Sequence, residues 1–198
     1  VMAPVNQCKR TEGRNAHLIR HRLHMRLEVD NVNLVEQVEK HLRAGEVDEL
    51  SFMDHTPGQG QYRDMEIWRK SFLRDQGEVS EEDAAELARA QQSAPKLTFE
   101  QLRYLAGIAH EQGIPLASHD DDSVEHLQMM RELGCTISEF PVELGVARAA
   151  CDLGMYTVMG TPNILLGKSH SGNLSAREAV ENGVARCLCS DYYPTAML

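Results

Sequence analysis

Ile114-Pro115-Leu116-Ala117-Ser118-His119-Asp120-Asp121-Asp122-Ser123-Val124-Glu125-His126-Leu127-Gln128-Met129-Met130-Arg131-Glu132-Leu133-Gly134 is the stretch on which the fold turns. Its first five residues form a short apolar run, as expected of a strand buried on both faces. Residues 123–133 read as a helix, which Gly134 stops. Between the two lie a histidine and three aspartates, so the strand delivers potential ligands into a loop. The unit is strand, polar loop, helix, glycine.

The same unit recurs on both sides. Upstream, residues 22–29 alternate and end in a carboxylate, residues 33–44 have helical apolar spacing, and residues 50–53 form a short apolar strand before a Pro-Gly loop. Residues 62–92 are polar and helical, with Ser80 as an N-cap ahead of Glu81, Glu82 and Asp83. A further helix is predicted over 98–112, capped by Thr98. Downstream, strands are predicted at 135–138, 155–159 and 185–190, and helices at 142–153 and 175–182. Strands alternating with helices at this rhythm indicate parallel βαβ units.

An open doubly wound sheet would gather its ligand loop at one switch point, whereas a barrel places polar residues at the C-terminal end of many strands. The predicted strands run into Glu28, Asp54-His55, Ser118-His119-Asp120, Ser138-Glu139, Thr161-Pro162-Asn163 and Ser190-Asp191. The expected fold is therefore α/β: an incomplete TIM-type (β/α)8 barrel of the metal-dependent hydrolase kind. Six strands are visible where a barrel needs eight, so its N-terminal strands are expected to be missing. A single partial catalytic domain is expected over 1–198, with a helical excursion at about 62–94.

Composition narrows the function classes. The 198 residues are 42% hydrophobic and 25% charged, an ordinary globular balance. No run approaches the roughly 18 apolar residues of a membrane helix. A net charge of −10 argues against nonspecific nucleic-acid binding, and an anionic substrate would need local cations or bound metal. The five cysteines (Cys8, Cys135, Cys151, Cys187 and Cys189) form no CxxC pair. Reduced, mostly buried thiols in a cytoplasmic protein are the reading.

Glu28, His55, His119 and Asp191 have the character of a centre for a divalent metal such as zinc, manganese or iron. Each follows a strand, so parallel strands would aim all four at one mouth. Asp120 would hold an imidazole, while Asp121 and Asp122 read as a solvated acidic helix start. His24 lies four residues from Glu28 and faces the same way; His21 has a core or interface role, and His17, His41, His110 and His126 face solvent. The loop Gly167-Lys168-Ser169-His170-Ser171-Gly172-Asn173 offers backbone N–H groups, hydroxyls and one cation to phosphate oxygens, although an ordinary mobile loop fits its composition equally well.

Seven motifs in order carry a resemblance: His21-Arg22-Leu23-His24-Met25-Arg26-Leu27-Glu28, Phe52-Met53-Asp54-His55-Thr56-Pro57-Gly58-Gln59, Leu116-Ala117-Ser118-His119-Asp120-Asp121, Ser138-Glu139-Phe140-Pro141, Met159-Gly160-Thr161-Pro162-Asn163, Ser169-His170-Ser171-Gly172-Asn173 and Ser190-Asp191-Tyr192-Tyr193-Pro194. Together the sequence resembles the alpha-D-ribose 1-methylphosphonate 5-triphosphate diphosphatases of the carbon–phosphorus lyase pathway, within the amidohydrolase superfamily. The resemblance implies a cytoplasmic metal-dependent hydrolase that releases pyrophosphate from the sugar triphosphate. It implies His55 and His119 as metal ligands, Glu28 as a ligand shared by two ions, and Asp191 as the last-strand carboxylate and general base. Substrate contacts are expected from Lys168, Ser169, His170, Ser171 and Asn173; the role of Lys168 rests on chemistry and not on the family. The superfamily's first-strand His-x-His or His-x-Asp pair and its small β-domain have no counterpart here, so a truncated chain, an incomplete centre and a possible homo-oligomer are expected. The alternatives are an amidohydrolase or deaminase acting on a C–N bond, or a non-catalytic fragment or scaffold of the phosphonate pathway.

Overall fold

A computed structural model describes residues 21–76, 80–165 and 172–191. Six strands form one sheet: β1 (His24–Glu28), β2 (Glu49–Met53), β3 (Leu116–His119), β4 (Ile137–Glu139), β5 (Tyr156–Gly160) and β6 (Cys187–Cys189). Every pair is parallel and the spatial order follows the chain, β1 to β6 without reversal. The α/β reading with six parallel strands is what the structure has.

Helices alternate with the strands. They are α1 (Val35–Arg43), α2 (Met65–Gln76), α3 (Glu81–Ser93), α4 (Phe99–Glu111), α5 (Val124–Glu132), α6 (Leu144–Asp152), α7 (Pro162–Leu165) and α8 (Ala176–Glu181). Polar side chains fix several starts. Ser80 accepts from the Asp83 N–H, and Thr98 forms a reciprocal capping box with Gln101. The helix α7 was not visible in the sequence, where Thr161-Pro162-Asn163 reads as loop.

The helices bury their apolar stripes on one face of the sheet. Leu27, Leu50, Phe52 and Leu116 project from β1 to β3 into a cluster with Val38 and Leu42 of α1, Leu105 of α4 and Leu127 of α5. Since successive strand residues point to opposite faces, this fixes His24, Arg26 and Glu28 of β1 on the other face. There they neighbour Ser51 and Met53 of β2. Among the described residues no helix is long and apolar enough to cross a membrane.

Three expectations about side chains change. Only Cys135 among the four described cysteines is buried; Cys187 is exposed on β6, paired in register with Val158. Asp121 is fully buried, not solvated. It turns inward ahead of the true N-cap Ser123 and serves as acceptor for two strand hydroxyls. His41 and His126 are half-buried, each beside a carboxylate: Glu46 at 2.6 Å and Asp121 at 3.0 Å. Cys8 and His17 lie outside the described residues.

Candidate metal centre

The C-terminal ends of β1, β2 and β3 bring three of the sequence-predicted residues together. Glu28 ends β1, and its Oε1 lies 2.6 Å from Nδ1 of His55, two residues beyond β2. His55 Nε2 lies 3.4 Å from Oδ2 of Asp120, and the same oxygen is 3.1 Å from Nδ1 of His119. The two imidazoles meet edge to face with centroids 5.4 Å apart. Asp120 is thus the middle of the group, in contact with both histidines and not with one alone.

Electrostatics favour a cation here. Burial works against charge on His55, but the carboxylates of Asp120 and Glu28 outweigh it and hold its pKa up at about 9. Burial likewise raises the Asp120 carboxyl, yet His119 and His55 keep it below the usual carboxylate range. His119 and Asp120 are 6% and 4% exposed. Although 3.1 Å apart, His119 Nδ1 and Asp120 Oδ2 are not aligned for a hydrogen bond, and both atoms are buried without a partner. Buried polar atoms are almost always satisfied. A divalent ion is the kind of group that this donor set of imidazole and carboxylate would satisfy, and the ligand atoms of His55, His119 and Asp120 all lie within 4.8 Å of one another.

The backbone around the group is bent to aim it. Among the described residues, Asp120, Phe140 and Asp191 are the non-glycine residues with positive φ (52°, 55° and 50°), and each follows closely on the end of a strand. Such conformations cost energy and concentrate at functional sites. At Asp120 the strain is held by tertiary bonds: its N–H donates to Glu139 O at 2.8 Å, and Gly60 packs against it. A Cβ on Gly60 would come within 3.4 Å of Asp120 Cβ and O, so glycine permits that approach. The Gly60 N–H also donates to Asp122 Oδ2 at 2.8 Å, which gives Asp122 a structural partner instead of solvent alone.

Asp121 braces the same turn from the helix side. Its Oδ2 accepts from Ser118 Oγ of β3 at 2.6 Å and from Ser138 Oγ of β4, while Oδ1 lies beside His126 Nδ1 of α5. Arg26 was not anticipated either: its Nη2 donates to His119 Nε2 at 3.1 Å. The signal that could have found it is the alternation His24, Arg26, Glu28, which lines one face of a strand with polar groups. Below the rim, His24 Nε2 lies 3.6 Å from Glu139 Oε2. A cavity of about 320 Å³ beside the centre is lined by His119, Asp120, Asp54, Lys96 and the apolar Phe52 and Met130. Lys96 Nζ donates to Asp54 Oδ2 at 2.7 Å.

Asp191 stands at the same end of the sheet, past β6. It contacts none of Glu28, His55 and His119 among the described residues. Asn173 precedes α8 and is half-buried. Lys168, Ser169, His170 and Ser171 lie outside the described residues.

No protein-family model matches the chain. The sialic acid synthetase from Leptospira borgpetersenii serovar Hardjo-bovis superposes at a TM-score of 0.47 with 14% identity, covering 86% of this chain and 54% of that one, too distant to inform fold or function. The alpha-D-ribose 1-methylphosphonate 5-triphosphate diphosphatase of Escherichia coli (strain K12) is 34% identical over 197 residues, 98% of this chain, and the chain spans about half (51%) of its length. Along nearly its whole extent, then, this chain resembles one half of that diphosphatase.

Proposed function

We propose that the chain carries the metal-holding part of a phosphoric-anhydride hydrolase that releases pyrophosphate from alpha-D-ribose 1-methylphosphonate 5-triphosphate in phosphonate catabolism. The observation that carries the reading is the contact group Glu28–His55–Asp120–His119, assembled from three successive strand ends and containing buried atoms without partners. The named relative supports the bond type.

The sheet belongs, in this reading, to an amidohydrolase-type (β/α)8 barrel. Strands lie about 4.8 Å apart, so flat β1 and β4 would be separated by about 14 Å. Yet His24 on β1 comes within 3.6 Å of Glu139 on β4, which supports a strongly curled sheet. Unreversed parallel order supports the same arrangement.

His55, His119, Glu28 and Asp191 would hold the metal, with Asp120 added. A bound divalent ion would supply Lewis acidity and lower the pKa of water toward ~7. Asp191 takes the proton of the attacking water as general base. Glu28 fixes the His55 ring through Nδ1, and Arg26 fixes His119 through Nε2. The loop of Lys168, Ser169, His170, Ser171 and Asn173 receives the triphosphate and offsets charge on the departing pyrophosphate, in a cytoplasmic enzyme whose net charge would otherwise repel it.

The test is pyrophosphate release by the purified protein. Release should cease with EDTA and return with Zn²⁺ or Mn²⁺. Asp191→Asn should lower kcat by about 10²- to 10⁴-fold. Turnover of amide or amine substrates without pyrophosphate release would replace this reading with C–N hydrolysis, and a protein that binds no metal would leave only a scaffold role.

A further inference from the structure

A second polar group lies on the same face of the sheet, between the start of β1 and the end of β4. His24 opens β1, Glu49 opens β2 directly beside it in register, and Glu139 closes β4. His24 Nε2 is 3.6 Å from Glu139 Oε2 and 4.0 Å from Glu49 Oε1. The ligand atoms of all three residues lie within 4.8 Å of one another. Glu139 is 8% exposed, and its Oε2, the atom aimed at His24, is buried without a hydrogen-bond partner.

Neither a proton nor a neighbouring side chain accounts for that oxygen. Burial pushes the Glu139 carboxyl up to about 7, and nearby Glu49 pushes in the same direction. A protonated carboxyl would still need an acceptor, and 3.6 Å is beyond hydrogen-bond range. Arg26, the cation on the same face, directs its hydrogen bonds elsewhere: to His119 Nε2 at 3.1 Å and Met53 Sδ at 3.0 Å. Burial holds His24 down at about 4, with Arg26 and His119 adding to the effect, so its imidazole is neutral at physiological pH, the form that ligates metal.

We propose that His24, Glu49 and Glu139 form a second divalent-cation site, separate from the rim centre, which ties β1, β2 and β4 together across the inner face. One imidazole nitrogen and two carboxylate oxygens suit Mn²⁺ or Zn²⁺. Bonds of about 2.0–2.2 Å around a tetrahedral ion place ligand atoms roughly 3.3–3.6 Å apart, so the observed spacings need little closure. The Ser51 hydroxyl, 2.8 Å from His24 Nε2, is the contact that the ion replaces. The role is structural: the three strands are not all neighbours, and only a bond across the face joins β1 to β4. This site is independent of the hydrolytic reading, since none of Glu28, His55, His119, Asp120 and Asp191 belongs to it.

The experiment is a Co²⁺ titration of EDTA-stripped protein, with ions per chain counted by elemental analysis after equilibrium dialysis. Compared are wild type, His55→Ala at the rim, Glu139→Gln, Glu49→Gln, and His55→Ala combined with each glutamine change. His55→Ala should retain one ion, and either combined variant should lose it. Each glutamine change alone should bind one ion fewer than wild type, with an unchanged far-ultraviolet dichroism spectrum. If Glu139→Gln does not fold, the half-buried Glu49→Gln decides the same question. Equal ion counts in His55→Ala and its combined variants, or no ion retained by His55→Ala, would overturn the proposal. Failure of the rim centre reads differently: wild type and His55→Ala would then bind the same single ion.

Discussion

The two ends of the sheet are built differently. From β1 to β3 the apolar helix-facing side chains are large and sealed; Leu27, Leu50, Phe52 and Leu116 are all 2% exposed or less. At the β5–β6 end a smaller cluster of Ala147, Met159, Leu174, Ala176, Ala179 and Val184 does the packing. Tyr156 and Leu188 there are 61% and 44% exposed. The metal-ligand candidates divide along the same line. Glu28, His55 and His119 touch one another or share Asp120, while Asp191, beyond β6, is exposed. Dense packing on one side of the sheet is what holds side chains on the other side to a geometry that chemistry can use.

The largest test of that contrast is a pair of truncations. Phe52→Ala removes a fully buried ring from the dense end and should cost about 3–5 kcal/mol by urea unfolding. Leu188→Ala removes a half-exposed side chain from the other end and should stay within about 0.5 kcal/mol. Similar costs for the two would erase the distinction.

A smaller effect is expected at Asp121. Asp121→Ala strands the Ser138 hydroxyl in a buried site and leaves Ser118 only its 3.3 Å bond to Ile137 O, and an unsatisfied buried group costs about 1–3 kcal/mol. Unfolding should show a loss of roughly 2–3 kcal/mol, and Co²⁺ affinity at the rim should fall as the turn carrying Asp120 loosens. A stability loss with rim affinity unchanged would make Asp121 a packing residue only.

Asp121 also marks where sequence reasoning stops. The strands, the helix stops and the rim position of Glu28, His55 and His119 follow from local patterns, because apolar runs, caps and glycines act over a few residues. The bond from Asp121 to Ser138 spans 17 residues and exists only because β4 pairs with β3. Glu49 lies just before the strand predicted over 50–53, and only register puts it beside His24. The left-handed backbone at Asp120 is set by tertiary hydrogen bonds, which nothing in a run of aspartates specifies.

The pH dependence of stability probes the same brace. Burial lowers the pKa of His126, but its contact with Asp121 outweighs burial and leaves the pKa above the ordinary value. A raised folded-state pKa means that the stabilisation is full below the unfolded value of about 6.5 and is lost as pH rises through the folded value. The stability gap between wild type and His126→Gln should therefore be widest below pH 6 and narrow on the alkaline side. A gap that widens with pH would mean that the imidazolium–Asp121 contact is not stabilising.

The gentlest probe needs no mutation at stabilising positions, only the native thiols. Cys135 is buried at the dense end, and burial pushes its thiol up to about 12, so almost no thiolate exists at neutral pH. Cys187 lies exposed on β6. Reaction with alkylating agents follows both thiolate fraction and access. In the native protein Cys187 should label within minutes, whereas Cys135 should label only at the rate at which the dense end opens. Mass spectrometry of peptides after timed iodoacetamide treatment reads both. Adding urea below the unfolding midpoint sharpens the comparison: if the dense end is one cooperative unit, Cys135 labelling should rise together with global unfolding. Early labelling of Cys135 ahead of that transition would show that the β1–β3 core opens locally, and its packing could then no longer account for a preassembled rim.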